Sequence, residues 1–188
     1  MRLTNKQIFP KSQSGFSLME LMIVIAIIGL LSAISIPRLF NPEHKASKAA
    51  RELMGDMQWT RISAIKSNQN WAIVFVPGNN NYLICSDSGG DDWASTGNNT
   101  IEKTISFATS AAGVQYGAGI ATAPMDATPF GDGVTYNIGG DPNVLTFDPG
   151  GICPLGYVYL FYGEASYAVG TLTTGIVRIR RWSGGAWL

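Results

Sequence analysis

The fold is decided near the start of the chain, by the stretch GFSLME at residues 15–20 and the apolar run LMIVIAIIGLLSAISI at residues 21–36. The apolar run contains no charged residue and is followed by Pro37 and Arg38. An unpaired carboxylate costs about 2.5–3.5 kcal/mol at membrane depth, so an acid beside such a run indicates a functional role. Glu20 is therefore the first residue that needs an explanation.

The residues around this run have the pattern of a targeting segment. Residues 1–15 contain three basic residues and no acid, and a basic segment before an apolar one is typical of a cytoplasmic start. As a helix, residues 16–36 would be about 31 Å long, which matches a bilayer core. Pro37 removes one backbone donor and therefore predicts a kink in that helix.

The stretch GFSLMELMIVIAIIGLLSAISIP (residues 15–37) resembles the class III signal of type IV pilins and type II secretion pseudopilins. In that family a prepilin peptidase cleaves after the glycine and methylates the new N-terminal residue. The resemblance implies cleavage after Gly15, a methylated N-terminus at Phe16, and Glu20 as the fifth residue of the mature chain.

The chemistry of Glu20 agrees with this resemblance. After cleavage Phe16 would carry an amine, and opposite charges attract strongly where the dielectric constant is low. The amine of one subunit can then pair with the Glu20 carboxylate of its neighbour and set the register of assembly. The alternative is a plain membrane anchor with an acid near the interface.

A second helical pattern begins at Glu43 and ends in the polar residues 67–70, and its small and apolar residues recur on one face. The predicted buried stripe is Ala46, Ala49, Ala50, Leu53, Met57, Thr60 and Ala64. The charged residues expected mostly elsewhere are Lys45, Lys48, Arg51, Glu52, Asp56 and Arg61. Trp59 and Ile62 lie off the stripe, so we expect them to contact loops or neighbouring subunits. Residues 16–68 are thus predicted to form one broken helix about 80 Å long.

The rest of the chain has the pattern of an all-β domain, with short alternating runs between turns rich in Gly, Asn and Asp. The predicted strands are residues 71–76, 82–85, 101–107, 134–138, 144–147, 157–162, 166–172 and 176–182. Two polar loops, residues 86–100 and 117–132, are expected to be exposed and to make partner contacts.

The predicted fold class is α+β and pilin-like, with one long N-terminal helix packed on a C-terminal antiparallel β domain. The predicted divisions are a cleaved leader at 1–15, a membrane or filament-core half of the helix at 16–42, and a globular domain at 43–188. The globular domain comprises the amphipathic half of the helix, residues 43–68, and the β domain, residues 69–188.

The two cysteines, Cys85 and Cys153, leave two alternatives. They form one disulfide if the domain is exported, or they remain two buried free thiols, because spacing alone does not show that they meet. His44 is the single histidine, so no His-based metal cluster or catalytic pair is expected within the chain.

No enzyme chemistry is predicted. Asp87, Asp91 and Asp92 lie in one Gly-rich loop, for which calcium binding and simple solvation are alternatives, but the twelve-residue calcium pattern with its terminal Glu is missing. The formal net charge is +0 and 14% of the residues are charged, which argues against polyanion binding over the whole surface. We expect no catalytic residue, no metal and no cofactor.

The C-terminal part resembles a narrower group within the pilin family. The turn TFDPGG (residues 146–151) resembles the F-x-P-x-G segment of the GspH/FimT group of minor pilins and minor pseudopilins, as does the closing GIVRIRRW (residues 175–182). The resemblance implies a minor structural subunit of a type II secretion pseudopilus, which serves protein export, or of a type IV pilus.

A second function is left open by the arginines of this closing stretch. Some members of the group act in DNA uptake through a Gly-Arg-x-Arg stretch, whereas this chain has Ile176 in place of the first arginine. Arg178, Arg180 and Arg181, with aromatic residues nearby, can form a surface for phosphate or single strands. The alternative is an edge strand that its charges keep soluble.

The resemblance also implies partners and a location. The implied partners are a prepilin peptidase, other pilin or pseudopilin subunits, the inner membrane, and either a secreted substrate or DNA. The implied location is the bacterial inner membrane, crossed once, with the β domain in the periplasm before incorporation into a pilus or pseudopilus.

Overall fold

The computed structural model describes residues 16–39, 42–138 and 141–188, and the chain divides into two compact units, residues 1–40 and 41–188. The first unit contains helix α1 (Leu18–Leu39), which continues through Pro37. The predicted kink at Pro37 stays a prediction. Gly15 and the junction at residues 40–41 lie outside the described residues.

Helix α2 (Pro42–Ser67) is the centre of the second unit. Its proline stands at the first helical position, where a missing backbone N–H costs nothing. The predicted buried stripe is confirmed, because all seven of its residues are completely buried. Small side chains on this stripe let the helix approach the strands of both main sheets closely.

Eleven strands occur among the described residues, all paired antiparallel in two main sheets and one small sheet. The first sheet has the order β3-β2-β1-β7, formed by β1 (Trp71–Val76), β2 (Asn81–Asp87), β3 (Thr100–Ser106) and β7 (Val144–Phe147). The second has the order β11-β10-β9-β8-β4, formed by β4 (Gln115–Tyr116), β8 (Gly156–Tyr162), β9 (Ala165–Thr171), β10 (Val177–Ser183) and β11 (Ala186–Trp187). The small sheet pairs β5 (Asn137–Ile138) with β6 (Asp141–Pro142).

The predicted strands agree with this arrangement except around two segments. Of the predicted strand 134–138, only Asn137–Ile138 is a strand, and Val134 forms an isolated bridge with Val158. The predicted strand 101–107 ends at Ser106, since Phe107 begins the short helix α3 (Phe107–Ser110). The Phe107 ring is completely buried, which explains why tertiary packing overrides the local strand pattern there.

The two long polar loops were expected to be exposed, and this is wrong in part. In the loop after β2, Trp93 and Ala94 pack on a cluster formed by Ala72, Val74, Cys85 and Val144. In the loop at 117–132, the Met125 N–H donates to the Tyr159 hydroxyl at 2.9 Å. Phe130 also packs edge-on against Tyr159, with 4.8 Å between the ring centroids. Each loop therefore covers part of a sheet face that would otherwise expose apolar side chains.

Asp56 was expected mostly off the buried stripe, yet it is only 8% exposed. Its Oδ1 lies 2.6 Å from the Lys103 Nζ, and its Oδ2 accepts a hydrogen bond from the Tyr82 hydroxyl at 2.7 Å. Burial, followed by the hydrogen bond to Asp56, raises the pKa of Tyr82 well above its ordinary value. The three side chains tie α2 to β2 and to the edge strand β3.

We expect residues 43–188 to form a soluble, folded monomer, and this fragment provides a test of the α2 packing. Ala50→Asp should lower its free energy of unfolding by about 3 kcal/mol or more, because the new carboxylate would be buried without a partner. Lys48→Ala is the control. The Lys48 ammonium donates to the Ser110 carbonyl at 2.7 Å but is exposed, so its loss should cost about 1 kcal/mol or less.

Sedimentation and urea unfolding measure both effects. An insoluble or unfolded fragment would show that the boundary at residue 43 is wrong. Equal stability of the two variants would show that the Ala50 face of α2 is not packed as described.

The buried tyrosines predict a loss of stability at alkaline pH. Burial raises the pKa of Tyr82, Tyr116 and Tyr136 above the ordinary value and raises that of Tyr159 to about 12. A raised pKa means that folding favours the neutral phenol, so this contribution is complete below the unfolded pKa of about 10 and is lost as the pH rises further. Urea unfolding of the fragment between about pH 8 and 12 should therefore show falling stability above about pH 10.

Tyr159→Phe is the matched variant, because it keeps the ring and removes the titrating hydroxyl. Its stability should fall less steeply between about pH 10 and 12 than that of the unmodified fragment. Stability that stays level to about pH 12 in the unmodified fragment would contradict the description of these phenols as buried.

Candidate functional site

The candidate functional site is the surface of α1 and the residues that precede it. Large apolar side chains are exposed on every side of this segment, with exposed fractions from 46% at Val24 to 81% at Phe16. They are Phe16, Leu18, Met19, Leu21, Met22, Ile23, Val24, Ile25, Ile27, Ile28, Leu30 and Leu31. A helix that is apolar all round needs lipid or other apolar helices around it.

The membrane span expected here stays a prediction. Within the described ranges, no helix is both long enough and apolar enough to qualify as a bilayer-crossing segment.

The start of α1 is held by Ser17, which sequence reasoning missed. The Met19 N–H donates to the Ser17 Oγ at 3.3 Å, and the Leu21 N–H donates to the Ser17 carbonyl at 3.1 Å. Ser17 is thus an N-cap, and Ser17 with Glu20 has the S-x-x-E spacing of a capping box, a signal that was available in the sequence.

Glu20 lies in the first turn of α1 and is exposed. A negative charge at this end of a helix is stabilised by the helix dipole, by roughly 0.3–1 kcal/mol. The described residues provide no hydrogen bond or ion pair to its carboxylate. The carboxylate is therefore unpaired within the described residues, and it lies four positions after the exposed Phe16.

The body of α1 presents small residues, among them Gly29 and Ser32. A Cβ added at Gly29 would meet no atom within 4 Å, so packing within the chain does not require this glycine. The Ser32 hydroxyl donates to the Ile28 carbonyl at 2.7 Å and is satisfied within the helix. Such a surface allows another helix to approach closely without leaving a polar group unpaired.

The cysteines take the second of the two alternatives: both are buried free thiols and no disulfide joins them. Cys85 lies in the cluster covered by Trp93, whereas Cys153 belongs to the main core and its thiol donates to the Leu172 carbonyl at 3.3 Å. The two thiols thus belong to different apolar clusters, which explains why they do not pair.

The arginines of β10 are divided between its two faces. Arg178 and Arg180 are exposed and line a depression of about 40 Å³ beside Tyr157. Arg181 points to the opposite face, because side chains alternate along a strand. Burial raises the pKa of Tyr157, an effect that Asp126 strengthens and the two arginines oppose.

The aromatic residues near these arginines do not form a free stacking platform. Trp182 is only 7% exposed and packs edge-on against Trp187, with 5.2 Å between ring centroids. Trp187 also packs against Tyr159, and its indole N–H donates to the Ala123 carbonyl at 2.8 Å. Bases would need exposed rings on which to stack, so this geometry does not favour the nucleic-acid alternative.

The acidic loop after β2 uses its carboxylates locally. The Asp87 Oδ1 accepts from the Gly89 N–H at 3.0 Å, and the Asp92 Oδ1 accepts from the Ser95 N–H at 2.7 Å. Both bonds stabilise turns. Within the described residues, no group of three or more His, Cys, Asp or Glu side chains is placed to hold a metal ion.

The fold is that of a pilin-like subunit. It has an exposed apolar N-terminal helix and a second helix packed on antiparallel sheets. Two family models match the chain: the prokaryotic N-terminal methylation motif at residues 10–36, and the Type II transport protein GspH at residues 49–175, which is more than half of the chain. The chain belongs to the Type II transport protein GspH family. It is therefore a structural subunit of the pilin and pseudopilin class and not an enzyme.

Individual relatives match less of the chain. Two fimbrial proteins of Pseudomonas aeruginosa are each 68% identical to it over 66 residues, which is 34% of this chain and 37% of each relative. The matched segment thus spans little more than a third of those proteins.

Two structures of the minor pseudopilin EpsH from the type II secretion system of Vibrio cholerae are also similar, each with a TM-score of 0.49. Their sequence identities are 10% and 11%, and the likeness covers 72% and 74% of this chain and 95% and 97% of those chains. The family assignment rests on the family model and not on this likeness.

Proposed function

We propose that the chain is a minor subunit that joins a filament through α1, and that the filament is the pseudopilus of a type II secretion system. The observation that carries this proposal is the apolar surface exposed on every side of α1. Equivalent helices of neighbouring subunits would cover that surface, and the second unit would remain folded around α2.

We further propose that Phe16 becomes the N-terminus. Gly15 precedes it, and the methylation-motif model spans both residues. Removal of the basic leader would leave an exposed aromatic residue and an amine at the start of α1. Before assembly α1 would hold the subunit in the inner membrane by a single pass, with the second unit in the periplasm.

Glu20 is the proposed assembly contact. It is the only acid from residue 16 to residue 42, and its carboxylate has no partner among the described residues. The amine of an incoming subunit would neutralise it, which removes the cost of two unpaired charges at low dielectric. The same contact would place neighbouring helices in a fixed register.

A type IV pilus is the second candidate for the host filament, and the match to two fimbrial proteins favours it. The match to the GspH family model favours the secretion pseudopilus. The neighbouring genes distinguish the two, since pilus-assembly genes would indicate a pilus and secretin genes a secretion system.

Cleavage after Gly15 is tested on the chain purified from cell membranes. Mass spectrometry should show N-methyl-phenylalanine at the start of the mature chain. Gly15→Leu should leave the leader attached, because the bulky side chain replaces the residue before the cut, while the second unit stays folded. A natural N-terminus at any other residue, or an uncut unmodified chain, would refute this processing.

Glu20→Ala tests the assembly contact separately from processing. The variant should still be cleaved, since Gly15 is retained, and should still reach the membrane fraction, since removal of a charge makes the segment more apolar. Its amount in sheared filaments should fall about tenfold or more, because the incoming amine would lose a charged partner worth several kcal/mol at low dielectric. An antibody against the second unit measures both fractions.

The matched control is Glu164→Ala, which removes an exposed carboxylate from the second unit and should leave filament entry unchanged. Glu20→Asp should restore part of the entry if charge pairing is the cause. Wild-type amounts of Glu20→Ala in filaments would show that Glu20 is not an assembly contact.

A further inference from the structure

One edge of the second sheet is open along the first half of β10. The Arg181 N–H and C=O exchange hydrogen bonds of 3.0 and 2.9 Å with Leu188, so these groups point away from β9. Backbone groups alternate in direction along a strand, so those of Val177 and Ile179 point the same way as those of Arg181. The register with β9 agrees, because the Leu172 N–H donates to the Ile176 carbonyl on the inner side.

No described strand pairs with this part of the edge. Strand β11 pairs only with Trp182 and Ser183, and no hydrogen bond within the described residues reaches the outward groups of Val177 and Ile179. An unpaired strand edge of this kind is a template for a further strand.

The side chains beside the open edge differ between the two faces of the sheet. On one face Arg178 and Arg180 are exposed, next to the ring of Tyr157. On the other face a groove of about 350 Å³ runs between β10 and the start of α2. It is lined by the apolar side chains of Tyr167, Ile179 and Leu188 and by the polar side chains of Ser47, Arg51, Arg180 and Arg181.

Three of the arginine charges at this edge are not compensated within the described residues. Arg51, Arg178 and Arg180 make no ion pair there, and the acid Asp126 acts together with Arg178 and Arg180 on the pKa of Tyr157. If the arginines served only to keep the strand edge soluble by their charge, the edge would not need a groove with apolar side chains beside it. The open backbone, the exposed arginines and the groove with its three apolar side chains together fit one kind of ligand.

We propose that the β10 edge is a docking site for an extended peptide segment of another protein, in which acidic and apolar residues alternate. Added antiparallel or parallel to β10, such a segment would exchange backbone hydrogen bonds with Val177 and Ile179. Its acidic side chains would lie beside Arg178 and Arg180, and its apolar side chains would enter the groove on the other face. This docking is independent of assembly through α1.

The test uses the full-length chain in a neutral detergent and a fluorescent peptide of alternating Glu and Val residues, about as long as β10. Fluorescence anisotropy should show binding that weakens as salt is added. Arg180→Ala should weaken binding about two- to fivefold, as expected for one exposed ion pair, and Arg178→Ala with Arg180→Ala about tenfold. Lys66→Ala, which removes an exposed charge at the end of α2, should bind as the unmodified chain does.

Two further measurements separate strand addition from simple charge attraction. Bound peptide should slow hydrogen exchange at the amides of Val177 and Ile179. The same peptide methylated at every backbone nitrogen should not bind, because neither of its edges can form the ladder of hydrogen bonds.

The proposal is overturned if the methylated peptide, or a peptide of alternating Lys and Val, binds as tightly as the acidic one. It is also overturned if the arginine variants bind equally well, or if no binding is seen at about millimolar peptide. Tighter binding of a single-stranded oligonucleotide to the same arginines, without protection of the two amides, would assign this face to nucleic acid instead.

Discussion

The cost of keeping apolar surface in water constrains the whole molecule. Covering such surface is worth about 25 cal/mol per Å², so a helix that is apolar all round has a lower free energy against lipid or other helices. The two apolar clusters among the described residues contain no residue of α1. The second unit therefore has a core of its own.

Within the second unit, α2 organises the packing through contacts that differ along its length. Near its start, the Lys45 and Lys48 ammonium groups donate to the carbonyls of Ala112 and Ser110. Near its end, the Arg61 guanidinium donates to the Gly151 carbonyl at 2.9 Å and the Thr174 carbonyl at 3.1 Å. A single helix thus holds connections that are remote from one another in sequence.

Arg61 also explains a glycine in the closing stretch. Gly175 has a φ of +78°, and a Cβ at this position would collide with the Gly151 carbonyl and the Arg61 side chain. Only glycine adopts this backbone conformation without strain and also leaves room for the guanidinium. The turn before β10 is therefore determined by a residue on α2, which orients the strand that carries the arginines.

The sequence predicted the features that depend on local period and missed those that depend on distant partners. The buried stripe of α2 was predictable because its residues recur at helical spacing, and strands such as β1 and β8 because their apolar runs are bounded by turns. Asp56 was missed because its burial depends on Tyr82 and Lys103, which are 26 and 47 positions away. Strand β4 has two residues and exists only through its pairing with β8, so it carries no local signal.

The two free thiols bear on how the chain folds in different redox environments. Burial raises the pKa of both Cys85 and Cys153, which lowers the fraction of reactive thiolate. A folded domain of this kind needs no oxidant to complete its structure. Once it is folded, its two thiols react only slowly with an oxidant. Its thiols are vulnerable only while the chain is unfolded, so rapid burial of the two clusters also protects the chain from mispairing with the thiols of other proteins.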